Sequence, residues 1–191
     1  VDKMYWPSAA VTFEYDNKLM LNSYVDSGYK PVPITEKNKH AIELFLAHIK
    51  NMLSDEKEQT ILLDWLAYVV QNAGKRINWA ILLQGAQGTG KSYFAKVLEW
   101  LLGSNAKSLD PSALGERFTG WAHGAVVNIV EEIRIKGDDK WRIMDRLKPF
   151  ITNSMVQIEE KGRDHRTIPN FTNYLLLTNY KDALPITNDD R

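Results

Sequence analysis

The chain has 191 residues, 24 basic and 24 acidic side chains and no cysteine. Balanced charge excludes a polybasic coat for nucleic acid, so any such contact has to come from a local patch, and the missing thiols exclude disulfides and thiolate metal sites. Six Trp, eight Tyr and six Phe supply apolar surface for a core, while no apolar run approaches the ~18 residues of a membrane helix, which excludes global disorder and a transmembrane span.

Residues 1–33 form an aromatic, turn-rich segment with Pro7, Pro31 and Pro33. Val11, Phe13 and Tyr15 alternate as in a strand, and Asp16-Asn17 can turn it. Residues 34–75 change to helical spacing. Ile42, Phe45, Leu46, Ile49, Met52 and Leu53 make one amphipathic helix with Thr35 as cap. Ile61, Leu62, Trp65, Leu66 and Val69 make a second, started by Asp55 and Glu58 and stopped by Gly74. This helical hairpin reads as a structural bundle. His40 and His48 stand on it, too far apart to share a metal, and with His123 and His165 they make no metal-ligand cluster.

From residue 76 strands alternate with helices, the pattern of a parallel α/β sheet. Trp79–Leu83 and Ala125–Val130 are continuous apolar runs, as buried parallel strands require, and Tyr174–Leu177 is a third. Ala106–Leu109 is a shorter strand. Helices are expected over Lys91–Leu102, closed by Gly103, and over Asp139–Thr152. The latter carries Trp141, Met144, Leu147 and Ile151 on one stripe and is disturbed by Pro149. Asp110-Pro111 opens a short helix. Val156–Ile168 reads as a hairpin turning around Lys161-Gly162-Arg163.

Residues 85–92 read Gly85-Ala86-Gln87-Gly88-Thr89-Gly90-Lys91-Ser92, the pattern G-x-x-x-x-G-K-[ST] between a strand and a helix. Glycines let successive backbone N–H groups turn inward around phosphate oxygens, and the helix start adds positive potential. Lys91 supplies a point charge for the β- and γ-phosphates of ATP, and Ser92 a hydroxyl for Mg²⁺. The run Val126–Val130 ends in Glu131-Glu132. Carboxylates at the end of a buried strand are costly unless paired. In a phosphate-loop protein the strand beside the loop delivers one acid to Mg²⁺ and another to the attacking water. Adjacent strand residues point to opposite sides, so Glu131 is assigned to the metal and Glu132 to the water. Asn179, at the end of the third strand, could bond the γ-phosphate or the water, or simply turn the chain.

Together these residues resemble the superfamily 3 helicases, a branch of the AAA+ ATPases, and among them the D5-like helicase domains of phage and plasmid primase-helicases fused behind a primase-polymerase. The likeness rests on the ordered set of phosphate loop, Glu131-Glu132, basic hairpin and Leu177-Thr178-Asn179. Trp65-Leu66-Ala67, Leu147-Lys148 and Ile158-Glu159-Glu160-Lys161-Gly162 add to it. It covers residues 38–191. The resemblance implies a P-loop ATPase core over 76–191 whose last strand lies beyond Arg191, and a homo-oligomeric, usually hexameric ring with ATP and Mg²⁺ at subunit interfaces. It further implies 3′-to-5′ movement on single-stranded DNA, a linked primase/polymerase domain, and the cytoplasm of a bacterial host. It makes Arg191, a dozen residues after Asn179, an arginine finger. It also makes the hairpin a DNA contact through Lys161, Arg163, His165 and Arg166, which would grip phosphates without reading bases. The same hairpin also reads as an exposed turn whose charges balance against Glu159, Glu160 and Asp164.

Three other readings share parts of this pattern. A protein-remodelling or loading ATPase would use every ATP residue without the basic hairpin. A small-molecule kinase would want a substrate pocket and lid instead of paired acids and a distal Arg. A non-catalytic assembly module would not need Lys91, Ser92, Glu131 and Glu132 together.

Overall fold

A computed structural model describes residues 2–133, 139–162, 164–180 and 183–184. The N-terminal segment folds as a three-stranded sheet of β1 (Asp2–Met4), β2 (Thr12–Tyr15) and β3 (Lys18–Asn22) in the order β1-β3-β2. Asp16 and Asn17 both take positive φ, 52° and 56°, which gives the tight antiparallel β2–β3 turn. Asn22 fastens the corner: its amide donates to Trp6 O and Ala9 O at 2.8 and 3.0 Å, and its Oδ1 accepts from Trp6 N–H at 3.1 Å.

The helical hairpin consists of α1 (Glu36–Met52) and α2 (Glu56–Gln71). Thr35 N–H donates to Asn38 Oδ1 at the start of α1, and Asp55 accepts from Lys57 N–H at the start of α2, both at 2.7 Å.

The central sheet contains β4 (Ile81–Gln84), β5 (Ala106–Leu109), β6 (Val127–Val130) and β9 (Asn173–Thr178), all parallel, in the order β4-β9-β6-β5. Helix α3 (Ser92–Leu102) follows β4, and α4 (Asp139–Thr152) precedes the hairpin of β7 (Met155–Ile158) and β8 (Arg166–Pro169). Period-two alternation sends the sheet's side chains to two cores. Ile81, Leu83, Val127, Ile129, Leu175 and Leu177 pack with Trp65 and Val69 of α2 and Phe94 and Leu98 of α3. Val130, Tyr174 and Leu176 face the other way, onto Met144, Leu147 and Phe150 of α4 and Val156 and Ile158 of β7. Burial on both faces is why these strands read as unbroken apolar runs.

Three expectations change. The first buried strand begins at Ile81, and Trp79 lies partly exposed before it. The buried stripe of α4 is Ile143, Met144, Leu147, Phe150 and Ile151; Trp141 faces solvent, because two positions before Ile143 lies roughly 200° around the helix from it. Pro149, expected to disturb α4, lies inside it, and the helix runs on to Thr152. The carbonyls left beyond it are taken by Arg76, whose guanidinium donates to Ile151 O and, at 3.0 Å, to Thr152 O.

Candidate phosphate site

The parallel strands β4, β6 and β9 end on one side of the sheet, and the residues at those ends line a single cavity of about 260 Å³. Its walls are Gln87, Gly88, Gly90, Lys91 and Ser92 after β4, Glu131 and Glu132 after β6, and Leu177, Thr178 and Asn179 at the end of β9. Crevices outside the carboxyl ends of strands are where open α/β sheets take ligands. Gly85, Ala86 and Thr89 complete the loop.

Lys91 is buried, and its ammonium donates to Gly85 O and Ala86 O at 2.8 Å each, with Thr89 Oγ1 at 3.4 Å. Burial holds its pKa below the ordinary lysine value. Among the described residues no carboxylate pairs with it, and its charge is met there by carbonyl and hydroxyl dipoles; an anion in the loop would relieve the desolvation. Gly88 and Gly90 take φ of +82° and +90°, which allow the loop to turn its backbone inward.

Ser92 donates its hydroxyl to Glu131 Oε2. The two oxygens sit together, as a hard divalent cation would need, with remaining ligands from phosphate and water. Among the described residues no group of three His, Asp or Glu side chains could hold a metal by itself.

Glu132 has φ +55°, in the left-handed region that costs a non-glycine residue of order 1 kcal/mol or more. The simple alternation expected for the acid pair is broken there: the left-handed residue turns the chain, and both residues line the same cavity. A second expectation also changes. The strand beside β4 is β9, not the acidic strand; β6 lies one place further on. Asn179 thus stands between the loop and the acids. Strand order depends on contacts between distant residues and cannot be read from spacing.

Thr178 is a site residue that sequence reasoning missed. Fully buried, it donates to Ile133 O at 2.8 Å, accepts from Tyr180 N–H at 3.1 Å, and its carbonyl accepts from Gly85 N–H at 3.2 Å. It ties the start of the phosphate loop, the segment just after the acids and the segment carrying Asn179 into one unit. A Thr closing an apolar run beside an Asn was the available signal. His48 of α1 is a second omission: its Nε2 lies 3.2 Å from Gly90 O.

At the β7–β8 hairpin the pairing matches the reading of charges balanced against Glu159 and Glu160: Arg166, which follows the tip, pairs through Nη2 with Glu160 at 2.8 Å, and Glu160 also meets His123 Nε2 at 3.4 Å. Glu159 pairs with Arg117 at 2.5 Å and lies 3.8 Å from His165 Nε2. Thr119 locks the turn: its N–H donates to Glu159 O at 2.9 Å and its hydroxyl accepts from Glu159 N–H at 2.8 Å. His123, Glu160 and Arg166 line a separate cavity of about 250 Å³ against the N-terminal sheet. Burial lowers the His123 pKa despite Glu160 beside it. Lys161 is exposed on the turn. Arg163 and Arg191 lie outside the described residues.

A family model described as a family of unknown function, DUF5906, matches residues 83–191, from the phosphate-loop strand onward. The chain belongs to this family. It is also 23% identical over 192 residues to a DNA primase-polymerase of Nitratiruptor phage NrS-1, a match spanning 98% of this chain and 26% of that protein. The chain is thus related to a phage replication protein and corresponds to about a quarter of its length. Two solved structures share the fold. The apo structure of the NrS-1 C-terminal region (305–718) has a TM-score of 0.82 at 22% identity, and an A-form apo structure of that region has 0.80 at 23%. Each match covers 99% of this chain and 45% of the other. Among the described residues no helix is long and apolar enough to cross a membrane.

Proposed function

We propose that this chain is the ATP-hydrolysing module of a phage replication protein: a P-loop NTPase of the AAA+/superfamily 3 type that uses ATP and Mg²⁺ to move single-stranded DNA. The observation that carries the reading is the convergence of Lys91, Ser92, Glu131, Glu132 and Asn179 on one cavity at the strand ends. Loop N–H groups and Lys91 bind the phosphates. Ser92 and Glu131 would hold Mg²⁺, which when bound neutralises charge on the phosphate oxygens. Glu132 accepts the proton of the attacking water, and Asn179 orients that water or the γ-phosphate. Arg191 serves a neighbour's ATP in a homo-oligomeric, hexameric ring, and a primase/polymerase domain belongs to the same protein or complex. Relatedness to a phage primase-polymerase supports the replication setting.

One observation favours a second reading, an ATPase that remodels or loads proteins. The β7–β8 turn spends Arg166 on Glu160 and holds Glu159 against Arg117, leaving less positive charge for a DNA strand. ATP hydrolysis by the full-length protein, with and without single-stranded DNA, separates the two. The helicase reading expects DNA-stimulated phosphate release that Lys91→Ala abolishes. Lys91-dependent hydrolysis indifferent to DNA would favour remodelling, and hydrolysis unaffected by Lys91→Ala would sink both.

A further inference from the structure

We infer that His48 is a positioning residue for the phosphate loop: from α1, it donates a hydrogen bond to the Gly90 carbonyl and so holds the loop in its phosphate-receiving shape. The inference rests on the proposal that this loop binds phosphate.

His48 Nε2 lies 3.2 Å from Gly90 O across 42 residues of sequence. A carbonyl oxygen can only accept, so Nε2 must carry the proton. The same oxygen accepts from Tyr93 N–H at 3.0 Å, the first turn of α3. Both of its lone pairs are thus engaged, one by the helix after the loop and one by a helix distant in sequence. The imidazole is itself fixed. It meets the ring of Tyr93 edge-on, with centroids 5.1 Å apart, and the buried ring of Phe94 at 5.4 Å. Phe45, nearly one turn earlier on α1, touches the same two rings.

The contact is close enough to dictate the residue at position 90. A Cβ there would collide with the imidazole, its Nε2 lying 2.8 Å from the added atom, and the φ of +90° already disfavours a side chain. Glycine is the most mobile backbone unit, so a loop hinged on Gly90 gains most from an outside anchor. The geometry of the peptide supplies the mechanism. In a trans peptide the Gly90 carbonyl and the Lys91 N–H point in opposite directions, and the described residues hold no cis bond. Anchoring the carbonyl toward α1 turns the Lys91 N–H away from α1 and fixes the backbone from which the Lys91 side chain springs. Without the anchor, the loop would have to be ordered by the nucleotide itself, and the ordering cost would appear as weaker binding.

Two substitutions separate the donor from the ring. His48→Phe keeps an aromatic ring and loses the donor; His48→Gln loses the ring and keeps a donor that can reach the place of Nε2. Binding of a fluorescent ATP analogue with Mg²⁺ to the full-length protein is the readout, with Lys91→Ala as reference. A single neutral hydrogen bond predicts about a 3- to 10-fold loss of affinity for His48→Phe, with the nucleotide-free melting temperature little changed. His48→Gln should bind within about 2-fold of the native protein. Native affinity in His48→Phe, or equal losses in both variants, would overturn the donor role while leaving Lys91-dependent binding intact. If the native protein and Lys91→Ala bind the analogue equally poorly, the phosphate-loop reading itself fails. Should His48→Phe not fold, ¹⁵N NMR of the native imidazole still decides: a proton on Nε2 that shifts when nucleotide is added supports the anchor, and an unprotonated Nε2 refutes it.

Discussion

Two polar regions of this protein each hold a pair of adjacent glutamates, Glu131-Glu132 and Glu159-Glu160, in opposite organisation. At the carboxyl ends of β4, β6 and β9, Lys91, Ser92, Glu131, Glu132 and Asn179 line a shared cavity, and among the described residues the Lys91 ammonium is held by two backbone carbonyls and one hydroxyl. At the β7–β8 turn, charged groups are aimed at one another: Arg166 at Glu160, Arg117 at Glu159, with His123 and His165 beside them. The first arrangement has unmet demand for a ligand. The second pairs its charges among the described residues, with Lys161 standing exposed beside them. A count of basic residues would have ranked the turn as the stronger binding element.

The comparison breaks most sharply at Glu132. If its carboxylate takes the proton of the attacking water, Glu132→Gln should slow ATP hydrolysis by about 10²- to 10⁴-fold while nucleotide still binds. Phosphate release and analogue binding measured together check this, and an undiminished rate removes the role.

The next largest effect concerns Thr178. Thr178→Val keeps the shape but strips a buried hydroxyl from Ile133 O and Tyr180 N–H. We expect a stability loss of about 1–3 kcal/mol in chemical denaturation. Hydrolysis should fall too, because the segments carrying the acids and Asn179 lose their common tie.

At the turn, Arg166→Ala and Lys161→Ala should part company. Loss of Arg166 takes a 2.8 Å ion-pair partner from Glu160 in a half-buried setting and should cost about 1 kcal/mol, or roughly 2–4 °C in melting temperature. Lys161→Ala should change stability by less than about 0.5 kcal/mol. Its effect should instead show in single-stranded DNA binding, with a flatter salt dependence. An equal loss of stability in both variants would dissolve the contrast between the two kinds of charge.

The smallest effect is a pH dependence. Burial depresses the His123 pKa below its ordinary 6.5, so the folded protein binds fewer protons there than the unfolded chain. Its contribution is complete at neutral pH and is lost as pH falls from about 6.5 through the lower folded value. Melting temperatures between pH 7 and pH 5 should fall less steeply in His123→Gln than in the native protein.

What the sequence made legible was local. The strand–loop–helix around the glycine-rich loop 85–92, the helix starts at Thr35 and Asp55, and the end of β6 before Glu131 are all set by residues within a few positions of one another. The strand exchange that puts β9 beside β4 was illegible, because it depends on Leu175 and Leu177 meeting Ile81 and Leu83 across more than ninety positions of chain. The same limit hid His48 against Gly90 and Arg117 against Glu159. Helical period alone misplaced Trp141, since a stripe drawn through apolar residues cannot tell a core position from a bulky residue left in solvent. The hairpin at 156–168 was found, and the balance of its charges against Glu159 and Glu160 was legible, but not which residue pairs with which.

The N-terminal sheet has a consequence for how the protein is made. Tyr5 donates its hydroxyl to Asn105 Oδ1, and the ring of Trp6 packs on Phe171 with centroids 5.2 Å apart. During synthesis the first strand therefore emerges well before either docking partner exists. At ~5–20 residues per second, Phe171 comes after Trp6 by on the order of ten seconds or more. For that interval Trp6 can be covered by Phe13 and Tyr15, as their ring contacts of 5.4 and 5.6 Å allow. The aromatic cluster of this sheet thus acts as its own temporary cover, so that a segment translated well before Asn105 and Phe171 can find its place only after both have been made.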